Sequence, residues 1–564
     1  MKTIVPLALV LSLALVPAGY PQDRADVVEA ITPASASMFM KTARIKELVG
    51  TVKFVSDNLL HRDYADKFRK MLENIKAGTG IDPLDVEALT NAGIDVGRSA
   101  SLAVYPSGKR NEERMLIFIP VLDDKIFPLK FVEILKKMAK TKNADLYPAI
   151  TEYKNHAVYQ SHRDIFTTAM DGVFIIGSTG ELLRSVIDAR VNGSGFLAAD
   201  PLYVEYASRL SKNYDLRAYV TRDFLKEALK RRPKQDGEQK GGQKKVTGGP
   251  LNAAGLIEAA YFADAAAGGP SVRSELDRLE TGPSPFNTVD YASLGVRVTP
   301  AAVDIDILAR FNSASGSVNT FLDVIRTGMY GRALEVKNAS TYAYVSFDFN
   351  RIEELCRKSA AGCGYYAQFK EEVREDLGID FEKDVLPHFS GVLNIVAGEP
   401  KGGGGGYLFF LPMNDAGRTK AIFDKSSAYL REKFKGTARY GADTIGGVQS
   451  FWHVDSKNNR IHMLCDGRGL YLGNDRELIG MALAGRELKN HQAADGVLSR
   501  LGENVFFLAH MKKDSFFGAL LTLYSYRNKE ISGVVNMMSD LNVIGVKDDT
   551  SLSFNVSIGL MKRK

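Results

Sequence analysis

The sequence predicts an α+β protein: two tandem copies of a mostly antiparallel sheet with packed helices. Three observations point there. Hairpin signals outnumber strand–helix–strand signals. Each copy closes with paired runs, SLGVRVTP with AVDIDILARF and VIGVKDD with SLSFNVSIGL. Their apolar–polar alternation, clearest in Leu552, Phe554, Val556 and Ile558 and partial in Val303, Ile305 and Leu308, marks antiparallel strands with one buried face. Finally, short segments recur in a single order along the chain.

The first copy opens with a strand at 37–41. Helical spacing of apolar residues follows over 45–60 and 64–75. A short helix at 82–91 is expected to start on Asp82 as N-cap, with Pro83 at its first position, and to end at Gly93. Strands follow at 101–105 and 115–121, then a helix at 130–139. The stretches 156–160 and 165–169 form a hairpin arm, and Asp171-Gly172 turns the chain into a strand at 173–176. A helix at 181–189, a strand at 216–220 and a helix at 224–229 precede the closing pair.

The repeat joins these elements to the second half. Arg44-Ile45-Lys46-Glu47-Leu48 recurs as Arg351-Ile352-Glu353-Glu354-Leu355, and Gly80-Ile81-Asp82 as Gly378-Ile379-Asp380. Gly93 matches Gly391; Gly177, Glu181 and Leu182 match Gly473, Glu477 and Leu478; Asp223, Ala228 and Leu229 match Asp514, Ala519 and Leu520. Leu294-Gly295-Val296-Arg297 resembles Ile544-Gly545-Val546-Lys547. The copies are placed at 34–312 and 338–560. The offset drops sharply between Leu229 and Leu294, where residues 231–250 read RRPKQDGEQKGGQKKVTGGP. That composition cannot bury enough apolar surface to order itself, so a disordered insertion is expected there. Residues 251–269, LNAAGLIEAAYFADAAAGG, read as a helix apolar on nearly every side, placed to cover a cleft or dock between the copies.

Composition sets the frame for function. The chain has 564 residues, 45% hydrophobic and 25% charged, which excludes wholesale disorder and coiled coil. Lys2, an uncharged stretch over 4–16 and the small Ala18 form a secretory signal peptide, 1–18, and no later stretch has the length of a membrane helix. A periplasmic or secreted protein is expected. The formal net charge is +6, most of it between Lys226 and Lys245, so no folded basic face suits a nucleic acid. Cys356 and Cys363, seven residues apart, would lie about 10 Å apart on a continuous helix, too far for a disulfide. Gly362 could break that helix, and the disulfide state of these two and Cys465 stays open.

The search for chemistry assigns no catalytic, cofactor-binding or metal-binding residue. Gly402–Gly406 is followed by a strand, whereas a phosphate cradle needs a helix N-terminus after its glycines. Ser178 and its counterpart Asn474 read as helix N-caps. None of the eight histidines falls in a metal-ligand spacing. His162 and His453 correspond between the copies, and His510 reads as packed or hydrogen-bonded.

The signal peptide, the Gly-Ile-Asp motif leading to a later glycine, and the segment DGVFIIGSTGELLRSVID at 171–188 resemble an exported bacterial family with a duplicated α+β domain of unknown function. The resemblance implies export and architecture and brings no catalytic residues with it. The reading is a non-catalytic exported protein of the bacterial envelope that binds a partner protein or an apolar ligand, without a cofactor. The alternative is a secreted hydrolase.

Overall fold

In a computed structural model, residues 27–106, 114–140, 149–162, 165–209, 214–225, 288–312, 322–327, 340–348, 350–351, 364–398, 406–454, 458–484, 504–513, 515 and 534–561 are described. The signal peptide, the 231–250 insertion, the 251–269 stretch, Cys356, Cys363 and most of the five-glycine run lie outside them.

The strands of the first half are β1 (Met38–Arg44), β2 (Ser99–Tyr105), β3 (Arg114–Pro120), β4 (Ala149–Tyr153), β5 (His156–His162), β6 (Ile165–Met170), β7 (Val173–Gly177), β8 (Leu216–Thr221), β9 (Val289–Val298) and β10 (Ala302–Phe311). Those of the second half are β11 (Thr341–Ser346), β12 (Val392–Ala397), β13 (Tyr407–Pro412), β14 (Tyr440–Ile445), β15 (Val448–Val454), β16 (Arg460–Asp466), β17 (Gly469–Gly473), β18 (Val505–Lys512), β19 (Met538–Lys547) and β20 (Ser551–Leu560). Among the described residues all pair antiparallel into one twenty-stranded sheet. In the first half the spatial order is β4-β5-β6-β7-β3-β2-β1-β8-β9-β10. The second half runs β14-β15-β16-β17-β13-β12-β11-β18-β19-β20, the same connectivity. β10 pairs with β20, Ala302 opposite Gly559 through Arg310 opposite Ser551, so the sheet is continuous across the joint. Helices pack on it, and the class is α+β.

Local chemistry explains the elements. β3 reads RMLIFIP because it is covered on both faces. Ile117 and Ile119 meet the helices Ile45–Phe54 and Phe127–Lys140 through one core, whereas Leu116 and Phe118 meet the helix Gly180–Asn192 through another. The latter helix is capped by Thr179, whose hydroxyl accepts the Leu182 N–H, and closes on left-handed Gly193. Asp171 and Gly172 both have positive φ, 54° and 70°, as a two-residue hairpin turn between β6 and β7 requires.

Two expectations need correction. Asp82 does not cap a helix: the helix is Val86–Asn91 and its cap is Asp85, which accepts the Glu87 and Ala88 N–H groups. Asp82 instead accepts the Leu84 N–H within a turn and pairs with Lys76 at 3.0 Å. Ser178 and Asn474 are not N-caps either, since Thr179 and Asp475 hold that place. They tie down neighbouring strands: Ser178 accepts the Met115 N–H at 3.0 Å and Asn474 that of Tyr407 at 2.7 Å.

Candidate functional site

The joint between the halves is where the sheet departs from an ordinary core. In β9, β10, β20 and β19 the register places Leu294 and Val296, Ile305 and Ile307, Phe554, Val556 and Ile558, and Leu541 and Val543 on one face. All nine are only half-buried. The ends of this strip are closed by small clusters. Leu59, Val298, Val303 and Leu560 gather at one end, and Phe311, Leu322, Ile325 and Leu552 at the other. The alternation in SLSFNVSIGL therefore reports which residues share a face correctly, but mid-strand its apolar face is only half-buried. Leu308, taken from the sequence as part of the apolar set, falls on the opposite face with Asp304 and Asp306.

That opposite face carries polar side chains that bond one another across strands. Ser557 donates to Asp304 at 2.6 Å, and Tyr214 and Asn555 both donate to Asp306. Asn542 donates to Asp540 at 2.9 Å, and His510 Nδ1 lies 2.8 Å from Asn542 Oδ1. Further along, Arg310 bonds Glu205 at 3.0 Å, and Arg209 bonds Glu205 at 2.9 Å and Ser551 at 2.9 Å. Arg209 and Glu205 belong to the helix Pro201–Arg209 of the first half and Ser551 to β20, so this network clamps the halves together. Tyr219 and Tyr291 pack at a 40° tilt beside it, ring centroids 5.5 Å apart, and burial pushes the Tyr291 phenol up to about 12. On the apolar side, Lys547 Nζ caps the carbonyls of Leu322 and Ile325 at 2.6 and 2.9 Å; burial lowers its pKa.

The other motifs singled out from the sequence have structural placements. His162 pairs with Ile165 and His453 with Ile461, at matching places in β5–β6 and β15–β16. Gly80 and Gly378 adopt left-handed φ of 76° and 67° at the ends of the helices Arg62–Thr79 and Gly364–Leu377. The first motif borders an open depression of about 730 Å³ whose walls include Lys53, Arg69, Lys76, Asp82 and Asp85. Cys465 is a half-buried free thiol, its pKa raised by burial. Among the described residues, no group of three or more His, Cys, Asp or Glu is placed to hold a metal ion.

One trio was not legible in the sequence because its members come from three strands. Ser450 Oγ and Asp443 Oδ1 lie 3.5 and 3.9 Å from His462, both at Nδ1. A hydrolase relay needs the two partners on opposite ring nitrogens, so this geometry cannot pass a proton from Ser450 to the acid. Its consequence is for stability. Burial lowers the His462 pKa, against the attraction of Asp443. In the unfolded chain the ring protonates near about 6.5. The unfolded state therefore binds more protons below that pH. Stability present above it is lost as pH falls toward the depressed folded value. His462→Phe should flatten this dependence between pH 7 and pH 5, by about 1.4 kcal/mol for every tenfold by which folding weakens the ring's proton affinity, in urea titrations at each pH. Position 462 corresponds to Phe166, since each pairs with the last residue of the next strand, Gly473 or Gly177. An unchanged slope would show that His462 is not the group responsible.

No helix among the described residues is long and apolar enough to cross a membrane. No family model matches the sequence, including the segment at 171–188, and no curated protein matches it. Among solved structures, the Treponema protein TP0453 in crystal form I shares 8% identity at a TM-score of 0.25, covering 51% of this chain and 79% of its own. Crystal form III shares 8% at a TM-score of 0.23, covering 53% and 87%. The chain is similar to these structures only at that level, which is too low to carry function across.

Proposed function

We propose that this chain is a non-catalytic, exported binding protein of the bacterial envelope. In this reading residues 34–312 and 338–560 are two copies of one unit, fused along β10 and β20, and the joint offers its apolar face to a partner protein or an apolar ligand. The observation that supports the reading is the half-buried strip Leu294, Val296, Ile305, Ile307, Val543, Phe554, Val556 and Ile558, drawn from both halves and closed at both ends. Contiguous apolar surface that folding leaves partly open marks a recognition site.

The test uses anilinonaphthalene sulfonate, whose emission rises on apolar protein surface. The folded protein should bind the dye under native conditions. Val556→Glu places a carboxylate at the middle of the strip and should weaken binding by about tenfold, since a buried charge is strongly disfavoured. Folding is checked by circular dichroism. A native protein that leaves the dye dark, or a folded Val556→Glu that binds it unchanged, would refute the joint as the site.

A further inference from the structure

The closing strands of the two halves meet about a two-fold axis. Ala302 and Ser551 open β10 and β20, and Arg310 and Gly559 are the last residue but one of each. Ala302 faces Gly559 and Arg310 faces Ser551. A half-turn about an axis normal to the sheet therefore exchanges the strands and keeps their register. Asp306 and Asn555, each midway along its strand, face each other and lie on that axis. The joint thus has the form of an interface between identical subunits, where one patch meets its own copy.

Such an interface can close in the wrong company. If β10 met β10 of a second copy in the same register, Ile305 would oppose Ile307. That contact is as apolar as the ones these residues make with Val556 and Phe554. The apolar face cannot tell the two pairings apart, so discrimination falls to the other face. There β20 carries the neutral Ser553, Asn555 and Ser557, and β10 carries Asp304, Asp306 and Leu308. In the self-pair Asp304 would meet Leu308, and Asp306 would meet Asp306 of the second copy.

The axis is where that collision is closest. Leu560 donates its N–H to the Ala301 carbonyl at 2.7 Å, and Phe311 to that of Thr550 at 2.8 Å. Counting inward in steps of two, the bonded pairs are those of Ile305 and Ile307. The Asp306 pair is then a non-bonded one, with Cα atoms about 4.5 Å apart and side chains at their nearest. The neighbouring strand relieves Asp304 but not Asp306. Arg297 stands opposite Asp304 on β9, whereas Asp306 has Gly295 opposite it and Arg217 one strand further away. In the joint as it stands both oxygens of Asp306 are served, one by the Asn555 amide and the other by the Tyr214 hydroxyl. In a self-pair the amide would be replaced by a second carboxylate, which has no proton to donate, and like charges directly opposite are destabilising. We propose that Asp306 restricts the joint to unlike halves: β10 accepts β20 and rejects β10 of a second copy. One carboxylate suffices, because two chains that trade partners like for like must form the β10 self-pair along with the β20 one. The proposal does not depend on what the apolar face binds.

Refolding of the full-length mature protein from urea at rising protein concentration, followed by light scattering on a sizing column, tests it. The wild type should return as a monomer. Asp306→Asn should return with a dimer fraction that grows with concentration. Asp306→Cys identifies the pairing: on the axis, a disulfide from 306 to 306 forms under mild oxidation only where β10 meets β10, and peptide mapping should find it in the dimer. Within one chain, Asn555→Asp recreates the collision and should lower the folding constant by about tenfold in urea titrations. Combining it with Asp306→Asn exchanges the two side chains across the axis and should restore the wild-type value. An Asp306→Asn protein that stays monomeric at every concentration, a dimer without the 306–306 link, or an Asn555→Asp variant as stable as the wild type would overturn the proposal.

Discussion

Ile307→Pro should split the unfolding of this protein into two transitions. Ile307 sits mid-strand in β10, opposite Leu294 on β9 and Phe554 on β20. A strand paired on both sides has no free edge for proline's missing N–H, so the ladder is broken on one side or the other and the ring crowds the backbone. The cost is about 3 kcal/mol or more, by analogy with proline in a helix interior. What remains on each side of the break is a nearly complete sheet with its own core. The halves would then be held by the Arg209 contacts with Ser551 and Asp548, half-exposed polar contacts of modest worth, and by the two small apolar clusters at the ends of the strip. Scanning calorimetry should give one coupled transition for the wild type and two for the variant. A single transition at the wild-type midpoint would show that the joint does not couple the halves.

Phe174→Ala should be the most damaging truncation in the first half. Phe174 is fully buried on β7, with ring centroids 5.0 Å from Phe127 and 4.7 Å from Phe131. Removing the ring leaves a cavity between the sheet and the helix Phe127–Lys140, at a cost of about 3–5 kcal/mol. The urea midpoint should fall accordingly. The contrast with the nearby Leu122, Ile126 and Leu129, which stand exposed, is the useful part: three aliphatics removed from the surface should cost less than one ring removed beneath them. A Phe174→Ala midpoint within error of the wild type would mean the site collapses and that this core is not the one holding the helix.

The class and many strand positions were legible because they rest on local periodicity. β2, β3, β6, β7 and β8 fall within two residues of where apolar runs and turn residues place them, and the Asp171-Gly172 turn follows from the two residues that tolerate positive φ. The N-cap errors at Asp82 and Ser178 have one cause. Asp85 and Thr179 were equally good caps a few residues on, and only the neighbouring strand or helix decides between them. β4, with its Ala-Ile-Thr-Glu-Tyr sequence, was missed because a five-residue edge strand has little alternation to detect. The joint was out of reach for a different reason. That AVDIDILARF pairs with SLSFNVSIGL is a contact between distant segments, and periodicity reports a buried face without naming what buries it.

Ala302 and Gly559, opposite one another in the β10–β20 pair, are separated by almost the whole second half of the chain. At about 5–20 residues per second of synthesis, β10 waits roughly 10–50 s for its partner. Until β20 pairs with it, β10 is a strand edge carrying Ile305 and Ile307, of the kind that recruits other chains. Asp304 and Asp306 stand on that margin. Charges placed on a strand awaiting its neighbour discourage the wrong neighbour. Once β20 arrives, Ser557 and Asn555 supply hydrogen bonds to those same carboxylates. The acids at the joint are thus sentries during synthesis and fasteners afterwards.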